Sequence, residues 1–368
     1  MKASAGFLVL VFLHATLAAQ QPDALPDNRA LAGNPPALKA GLNSFVDFAG
    51  TTYQDQTPPA APKQKAKPAP KTAPPKQLKR AKIDASMVGY IEDSAVQTQV
   101  RLRFDAGFND PRPDRAEYFY AGCNGSSSCS SAIQRTLNFQ QLYLNGEYAP
   151  LQRFSAFVQV PFRWIQFFFV PDTGNPTLSS GGGISDVKAG LKLAAVASGS
   201  RNLTFQLGAD FPTGNGSAGL GTNHYSIEPK VLLFQRLSDR TAMEAEAGDS
   251  HPIGGTMYVP NAAPATPPRN FAGDVAMYGV GPSYQLIKRD SYRLTPVFEL
   301  VSWHVFGGLQ TGSGIVVHSA EGINVLNAKL GARAGFSDGS SIYAGYGRSL
   351  TSDIWYRNLF RIEYRRVF

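Results

Sequence analysis

The chain has 368 residues, 43% of them hydrophobic and 17% charged, with a formal net charge of +8. Beyond its N-terminal apolar run, no stretch stays apolar for the roughly 18 residues that a membrane-crossing helix needs, which excludes a helical membrane protein but not a chain that crosses on strands. The positive charge is local: Lys63, Lys65, Lys67, Lys71, Lys76, Lys79, Arg80 and Lys82 stand in one acid-free stretch and leave the remainder formally neutral, so the basic balance does not describe a nucleic-acid-binding surface.

At the N-terminus Lys2 precedes an apolar run from Ala5 to Leu13 and a string of small residues to Ala19. The run is too short for a bilayer and is expected to be a secretory signal over residues 1–19, cleaved near Ala18 or Ala19. Residues 20–56 are expected to be a mostly disordered periplasmic segment, with at most a short helix near Ala37 to Phe48. Residues 57–82 are rich in Pro, Ala and Lys and read as a semi-rigid linker. At about 3.1 Å per residue it would reach on the order of 80 Å. It is either a simple tether or a contact for an anionic periplasmic partner.

The barrel region is expected over 83–368. Val96, Thr98, Val100, Leu102, Phe104, Ala106 and Phe108 alternate with Gln97, Gln99, Arg101, Arg103 and Asp105, the period of a strand with one apolar and one polar face. Similar segments fall at about 134–148, 152–163, 184–197, 202–212, 224–236, 240–249, 273–287, 291–304, 322–334, 340–349 and 355–368, giving twelve strands. Short connections near 149–151, 199–201, 237–239, 288–290 and 336–339 alternate with mostly longer Gly-, Ser- and Pro-rich loops. An all-β, twelve-stranded antiparallel transmembrane β-barrel of the outer-membrane type follows, with a disordered N-terminal extension and both termini in the periplasm of a bacterial cell. A soluble sandwich also has many short strands. It predicts neither the loop asymmetry nor the aromatic residues at strand ends, among them Tyr143, Tyr148, Trp164, Tyr225, Tyr278, Tyr284, Trp303, Trp355 and Tyr364, which suit interfacial girdles.

In the last segment Tyr356, Phe360, Ile362, Tyr364 and Phe368 share one face, with Arg357, Leu359, Arg361, Glu363, Arg365 and Val367 on the other. Ile362, Tyr364 and Phe368 on the lipid face resemble the C-terminal signal read by the barrel-assembly machinery. Outer-membrane lipid is the other expected macroscopic partner, and nucleic acid is not.

A charge on the lipid face is costly, so charged strand positions belong in the lumen. The inward phase holds Arg101, Arg103, Asp105, Glu147, Asp186, Lys188, Lys192, Asp210, Glu228, Lys230, Glu244, Glu246, Glu299, Lys329, Arg333, Arg357, Arg361 and Glu363. They form either a structural ion-pair network or a polar pathway for a small-molecule solute, and the two readings are compatible. Cys123 and Cys129 lie in a Cys-Asn-Gly-Ser-Ser-Ser-Cys loop and point to a disulfide in an exported chain. A metal there would lack ligands, and no metal or cofactor is expected. Gly214 to Gly219 matches GxGxxG in form, but another alternating strand follows where a dinucleotide site needs a helix. His224 with Ser226, and Ser302 with His304, bring a hydrolase to mind. The His-x-Ser-Asn-Gly signature of outer-membrane phospholipase A is absent, because His224-Tyr225-Ser226 runs on into Ile227-Glu228. No enzyme is expected.

Gly181-Gly182-Gly183-Ile184-Ser185-Asp186-Val187-Lys188-Ala189-Gly190-Leu191-Lys192 resembles the G-x-G-D-x-x-x-G-x-K strand of the MetA-pathway phenol-degradation transporter family. Phe211-Pro212-Thr213-Gly214, Gly219-Leu220-Gly221-Thr222 and Pro296-Val297-Phe298-Glu299-Leu300 continue the likeness, which spans roughly Gln134 to Phe368. Ser185, inserted between glycine and aspartate, and the Pro/Lys linker depart from the pattern. The resemblance implies a channel or transporter for small solutes, often aromatic or hydrophobic. A structural barrel with a filled lumen and a periplasmic basic tether is the alternative. Phe167, Phe168, Phe169 and Val170 are either an apolar entry surface or the packed tip of the third strand.

Overall fold

The computed structural model describes residues 86–110, 134–169, 180–255, 257–258, 269–311 and 317–368. The signal segment, residues 20–56, the linker 57–82, the Cys123–Cys129 pair and Val170 lie outside them.

Twelve strands form one closed antiparallel barrel: β1 Gln99–Asp110, β2 Gln134–Leu151, β3 Phe154–Phe169, β4 Val187–Ala197, β5 Arg201–Phe211, β6 Tyr225–Arg236, β7 Thr241–Ile253, β8 Val275–Tyr284, β9 Tyr292–Val305, β10 Asn324–Phe336, β11 Ser340–Ser349 and β12 Asn358–Val367. Each strand pairs with its sequence neighbours. The ring closes where β1 meets β12, in register from Gln99 opposite Val367 to Phe108 opposite Asn358. A short run, Gly181–Ile184, pairs with β3 just ahead of β4. Closure leaves no unpaired strand edge, which is what permits a sheet to sit in lipid.

The radial order of polarity is the reverse of a soluble protein's. Leu330 is 64% exposed on the outer wall, while its neighbour Lys329 is 3% exposed inside. Phe298 and Glu299 show the same contrast at 42% and 0%. Outward Leu102, Phe104, Leu191, Leu207, Val231 and Ile362 continue the apolar wall. This is a transmembrane β-barrel of the outer-membrane type: apolar outside, charged within. Tyr148, Trp164, Tyr225, Tyr278, Tyr284 and Tyr364 are exposed on it.

One end carries tight turns, at 152–153, 198–200, 237–240 and 337–339; the other carries the longer connections. At 337–339, Gly339 adopts φ 88°, and Val367 N donates to its carbonyl at 3.0 Å. A side chain would be strained at that φ. At the long-loop end the interior is apolar: Leu137, Phe139, Phe167, Leu220, Val305, Ile323, Val325, Trp355 and Leu359 pack into one cluster.

Several positions differ from the alternation read off the chain. β3 runs on to Phe169, and Phe167 is buried in the apolar cluster with Phe169 against it, so these residues are the packed tip of that strand. β12 begins only at Asn358. Arg357 therefore does not line the lumen: it is exposed in the preceding loop, its backbone N donating to Phe108 O at 2.9 Å. Tyr356 is buried inside rather than facing lipid, and Tyr143, Trp303 and Trp355 also turn inward instead of joining a girdle. Each was misassigned for the same reason, that an aromatic near a strand end suits either side of the wall.

Candidate functional site: a charged lumen holding an internal segment

Residues 86–98 enter the lumen and turn back within it. Thr98 O accepts from Phe368 N at 3.0 Å, at the turn end, and Val96 packs there on Ala149 and Ala194. The chain bends at Gly89–Ile91 and returns, so that Ser86 O meets Arg365 near the end of β12. Apart from that Thr98 bond, no strand neighbour among the described residues satisfies the backbone of this segment. Lumen side chains do.

Glu299, on β9, accepts from three successive amides: Gly89 N at 3.2 Å, Tyr90 N at 2.9 Å and Ile91 N at 2.9 Å. The Tyr343 hydroxyl donates to the same carboxylate at 3.2 Å. Consecutive N–H groups converging on one anion make a nest, and its hydrogen bonds are charge-assisted. Glu244 accepts from Met87 N at 2.9 Å, and Glu246 from Glu92 N at 3.0 Å. The segment's carbonyls are met by cations. Arg333 donates to Met87 O and Val88 O, Arg361 to Gly89 O, and Lys192 to Asp93 O. Carboxylates thus hold the amides and cations hold the carbonyls. Met87, Val88 and Ile91 add apolar contacts to Val297 and Val301. Glycine is required at 89, because a Cβ there would lie 2.2 Å from the Tyr343 ring.

The segment's own acids join the network. Asp93 pairs with Arg365 at 3.1 Å, and Glu92 with Arg101 at 3.7 Å. Around them Arg365 and Arg333 both hold Glu363, at 3.1 and 2.9 Å, and Arg361 grips Asp105 through two bonds of 2.7 Å. Arg103 lies 3.6 Å from Asp105 and stacks on Tyr143. Lys192 meets Glu147 at 3.1 Å, while Glu228 accepts from Lys188 at 2.5 Å and pairs with Lys230 at 3.2 Å. Asp210 completes that group, 3.4 Å from Lys188. Charges buried in this way need partners, since a lone one costs several kcal/mol.

Two adjoining cavities, of about 270 and 200 Å³, lie between the bend and the apolar cluster. Gln141, Tyr143, Arg163, Lys230, Met277 and Trp303 line both. Tyr90 reaches the smaller one. Its ring lies 3.8 Å from Lys329 Nζ and 4.2 Å from the Arg361 guanidinium, as centroid distances, and its hydroxyl is buried without a hydrogen-bond partner. Lys329 Nζ also donates to the Tyr356 hydroxyl at 2.8 Å, with the Trp303 ring 5.6 Å away. The chamber combines aromatic faces with charged side chains of both signs, Glu92, Asp105 and Glu246 among them.

Asp186 lies in the gap between Gly181–Ile184 and β4, where its carboxylate fastens the loop 212–224. It accepts from Gly214 N at 3.0 Å, Thr222 N at 2.6 Å and the Thr222 hydroxyl at 2.8 Å. The GxGxxG stretch is part of this latch: Gly216–Ala218 is a single 3-10 turn capped by Asn215, with Gly219 at φ 73°. His224 is buried and donates through Nδ1 to Thr222 O at 3.0 Å, and burial lowers its pKa below the usual histidine value. Ser302 Oγ donates to Val325 O at 3.0 Å. These bonds hold loops and strand ends together.

The lumen also holds Arg365, on the charged face of the last strand but not among the pathway candidates, and Tyr90, Tyr143, Trp303 and Tyr356, along with the segment they surround. For Arg365 the signal was present, because it shares the phase of Arg361 and Glu363.

No protein-family model matches the chain, and no curated protein sequence matches it. Among solved structures, an outer membrane channel from Pseudomonas putida F1 is similar over 74% of this chain and 96% of its own, at 15% identity and a TM-score of 0.48. The β domain of the Bordetella autotransporter Brka is similar over 74% and 100%, at 14% identity and a TM-score of 0.41. The KdgM porin is similar over 73% and 99%, at 8% identity and a TM-score of 0.35.

Proposed function

We propose that this protein is a gated channel of the bacterial outer membrane, passing small solutes and closed from inside by residues 86–98. The observation that carries the reading is the way those residues are held. Among the described residues, 86–97 make no strand pairs with the wall and are bound chiefly through side chains, with Thr98 as the root that stays bonded to β12, so they can leave without breaking the barrel. Above them lies a solvent-sized chamber, and below them is the tight-turn end, which faces the periplasm in barrels of this type.

The chamber's Tyr143, Trp303 and Tyr356 favour small aromatic solutes, while Glu92, Asp105 and Glu246 offset Arg163, Lys329 and Arg361 and set no preference for charge. The likeness of the 181–192 and 211–222 motifs to the MetA-pathway phenol-degradation transporter family points the same way. The buried ion network favours a second reading, a filled barrel with a purely structural lumen. Uptake separates the two. Glu299→Ala protein, with the internal segment released, folded into liposomes is expected to admit benzoate faster than protein-free liposomes and faster than the unaltered protein. Uptake equal to that of protein-free liposomes, with the barrel folded, would leave the structural reading.

A further inference from the structure

The lumen does not account for three side chains on the outer wall. Asp249 and His251 stand two apart on β7 and so share its outward face, alternating with Gly248 and Ser250. Asp274 directly precedes β8. The β7–β8 register pairs Asp249 with Ala276 and Ser250 with Val275, so Asp274 is the next residue along and falls opposite His251. His251 Nδ1 lies 2.7 Å from Asp274 Oδ1, and one donor atom from each of the three residues lies within 4.8 Å of the others. His251 and Asp274 are 60% and 44% exposed at the side chain, which leaves room for an ion to approach. One step down the same face, Ala247 pairs with Tyr278, whose ring is 46% exposed.

A hydrogen-bonded His–Asp pair explains two of these residues but not the third. Asp249 brings a second carboxylate within 4.8 Å of the other two donors, where like charges repel. A single imidazole cannot neutralise both. A divalent cation can, and the donors match one: an imidazole nitrogen with two carboxylate oxygens, all on one side of the ion. Imidazole selects first-row metals such as Zn²⁺ over Mg²⁺ or Ca²⁺, which take oxygen ligands. We propose that Asp249, His251 and Asp274 form a surface site for a divalent first-row metal ion, Zn²⁺ being the simplest probe, with its remaining positions open to solvent. The site is on the outer wall near the long-loop end, separate from the lumen, and does not depend on whether the lumen conducts.

The test uses untagged full-length protein, folded in detergent, stripped with chelator and titrated with ZnCl₂ by calorimetry. Co²⁺ serves as a spectroscopic probe of nitrogen and oxygen coordination. We expect about one equivalent of Zn²⁺ that weakens at least tenfold in both Asp249→Asn and His251→Ala, and a Co²⁺ visible band that both variants lose. His318→Ala, altered in the connection between β9 and β10, is expected to keep both. Asp249 is the discriminating position, because a bare His251–Asp274 pair does not need it. Binding unchanged in Asp249→Asn, or no equivalent of Zn²⁺ in the unaltered protein, would overturn the assignment.

Discussion

Glu299 shows how much rests on single side chains in this lumen. Its carboxylate is fully buried and accepts three backbone N–H groups and a tyrosine hydroxyl. Replacing it with alanine strands those donors, at roughly 1–3 kcal/mol for each that finds no new partner. Glu299→Ala is therefore expected to free the bend at residues 89–91 while the wall stays paired. Hydrogen exchange at Gly89, Tyr90 and Ile91 should quicken by at least tenfold, with β9 and β10 amides unchanged. Glu299→Gln, which keeps an acceptor oxygen, should fall between. Gly89→Ala should act like Glu299→Ala, since its Cβ would meet the Tyr343 ring. A milder effect belongs to Asp338, in the turn between β10 and β11. Ser340 and Arg366 hold its carboxyl down at about 2, below the ordinary 3.8. A lowered carboxyl stabilises the fold above its unfolded value and stops doing so as pH falls through the folded one. Asp338→Asn should thus lower the melting temperature slightly at pH 6 and make no difference only once the pH is well below 2. Lys329 and Arg333 are buried inside the wall, where the cost of charge in lipid makes their facing legible in the sequence. That cost says nothing of Tyr356 and Trp303, because an aromatic ring gains on either side of the wall.

At the scale of elements, the strands were legible and the segment inside them was not. Strand alternation is enforced by lipid on one side and the lumen on the other, so β1 to β12 carry it plainly. Residues 86–98 face no such contrast, and their partners are side chains from β1, β4, β5, β7, β9, β10 and β12, far apart in sequence. The acceptors Glu244, Glu246 and Glu299 could be listed as inward charges, but nothing in their spacing says that they hold a backbone. The loop 212–224 is held by a different device. Asp186 receives three hydrogen bonds from it, and Asp186→Asn should raise its cleavage by added protease several-fold without altering the barrel's heat-modifiable gel mobility. His224 in the same loop adds pH dependence. Its folded-state pKa is lowered by burial, so the open loop takes up a proton first as pH falls below the ordinary histidine value near 6.5. The closed loop is therefore most stable above that value and loses stability below it. Cleavage within 213–223 should be faster at pH 5 than at pH 7.5, and the difference should shrink in His224→Gln.

At the scale of the barrel, a closed wall surrounds a polar interior that holds residues 86–98, the proposed stopper. The wall could be deduced from strand count, loop asymmetry and the face that ends in Phe368. The stopper could not, since a lumen full of paired charges looks the same in sequence whether it holds water or a peptide. Single-channel current across a planar bilayer is the most direct test of the claim that residues 86–98 close the path. The unaltered protein should conduct rarely or at low amplitude. Glu299→Ala should raise the open fraction at least tenfold. Equal open fractions in the two proteins, with hydrogen exchange showing the bend released in the variant, would contradict the account.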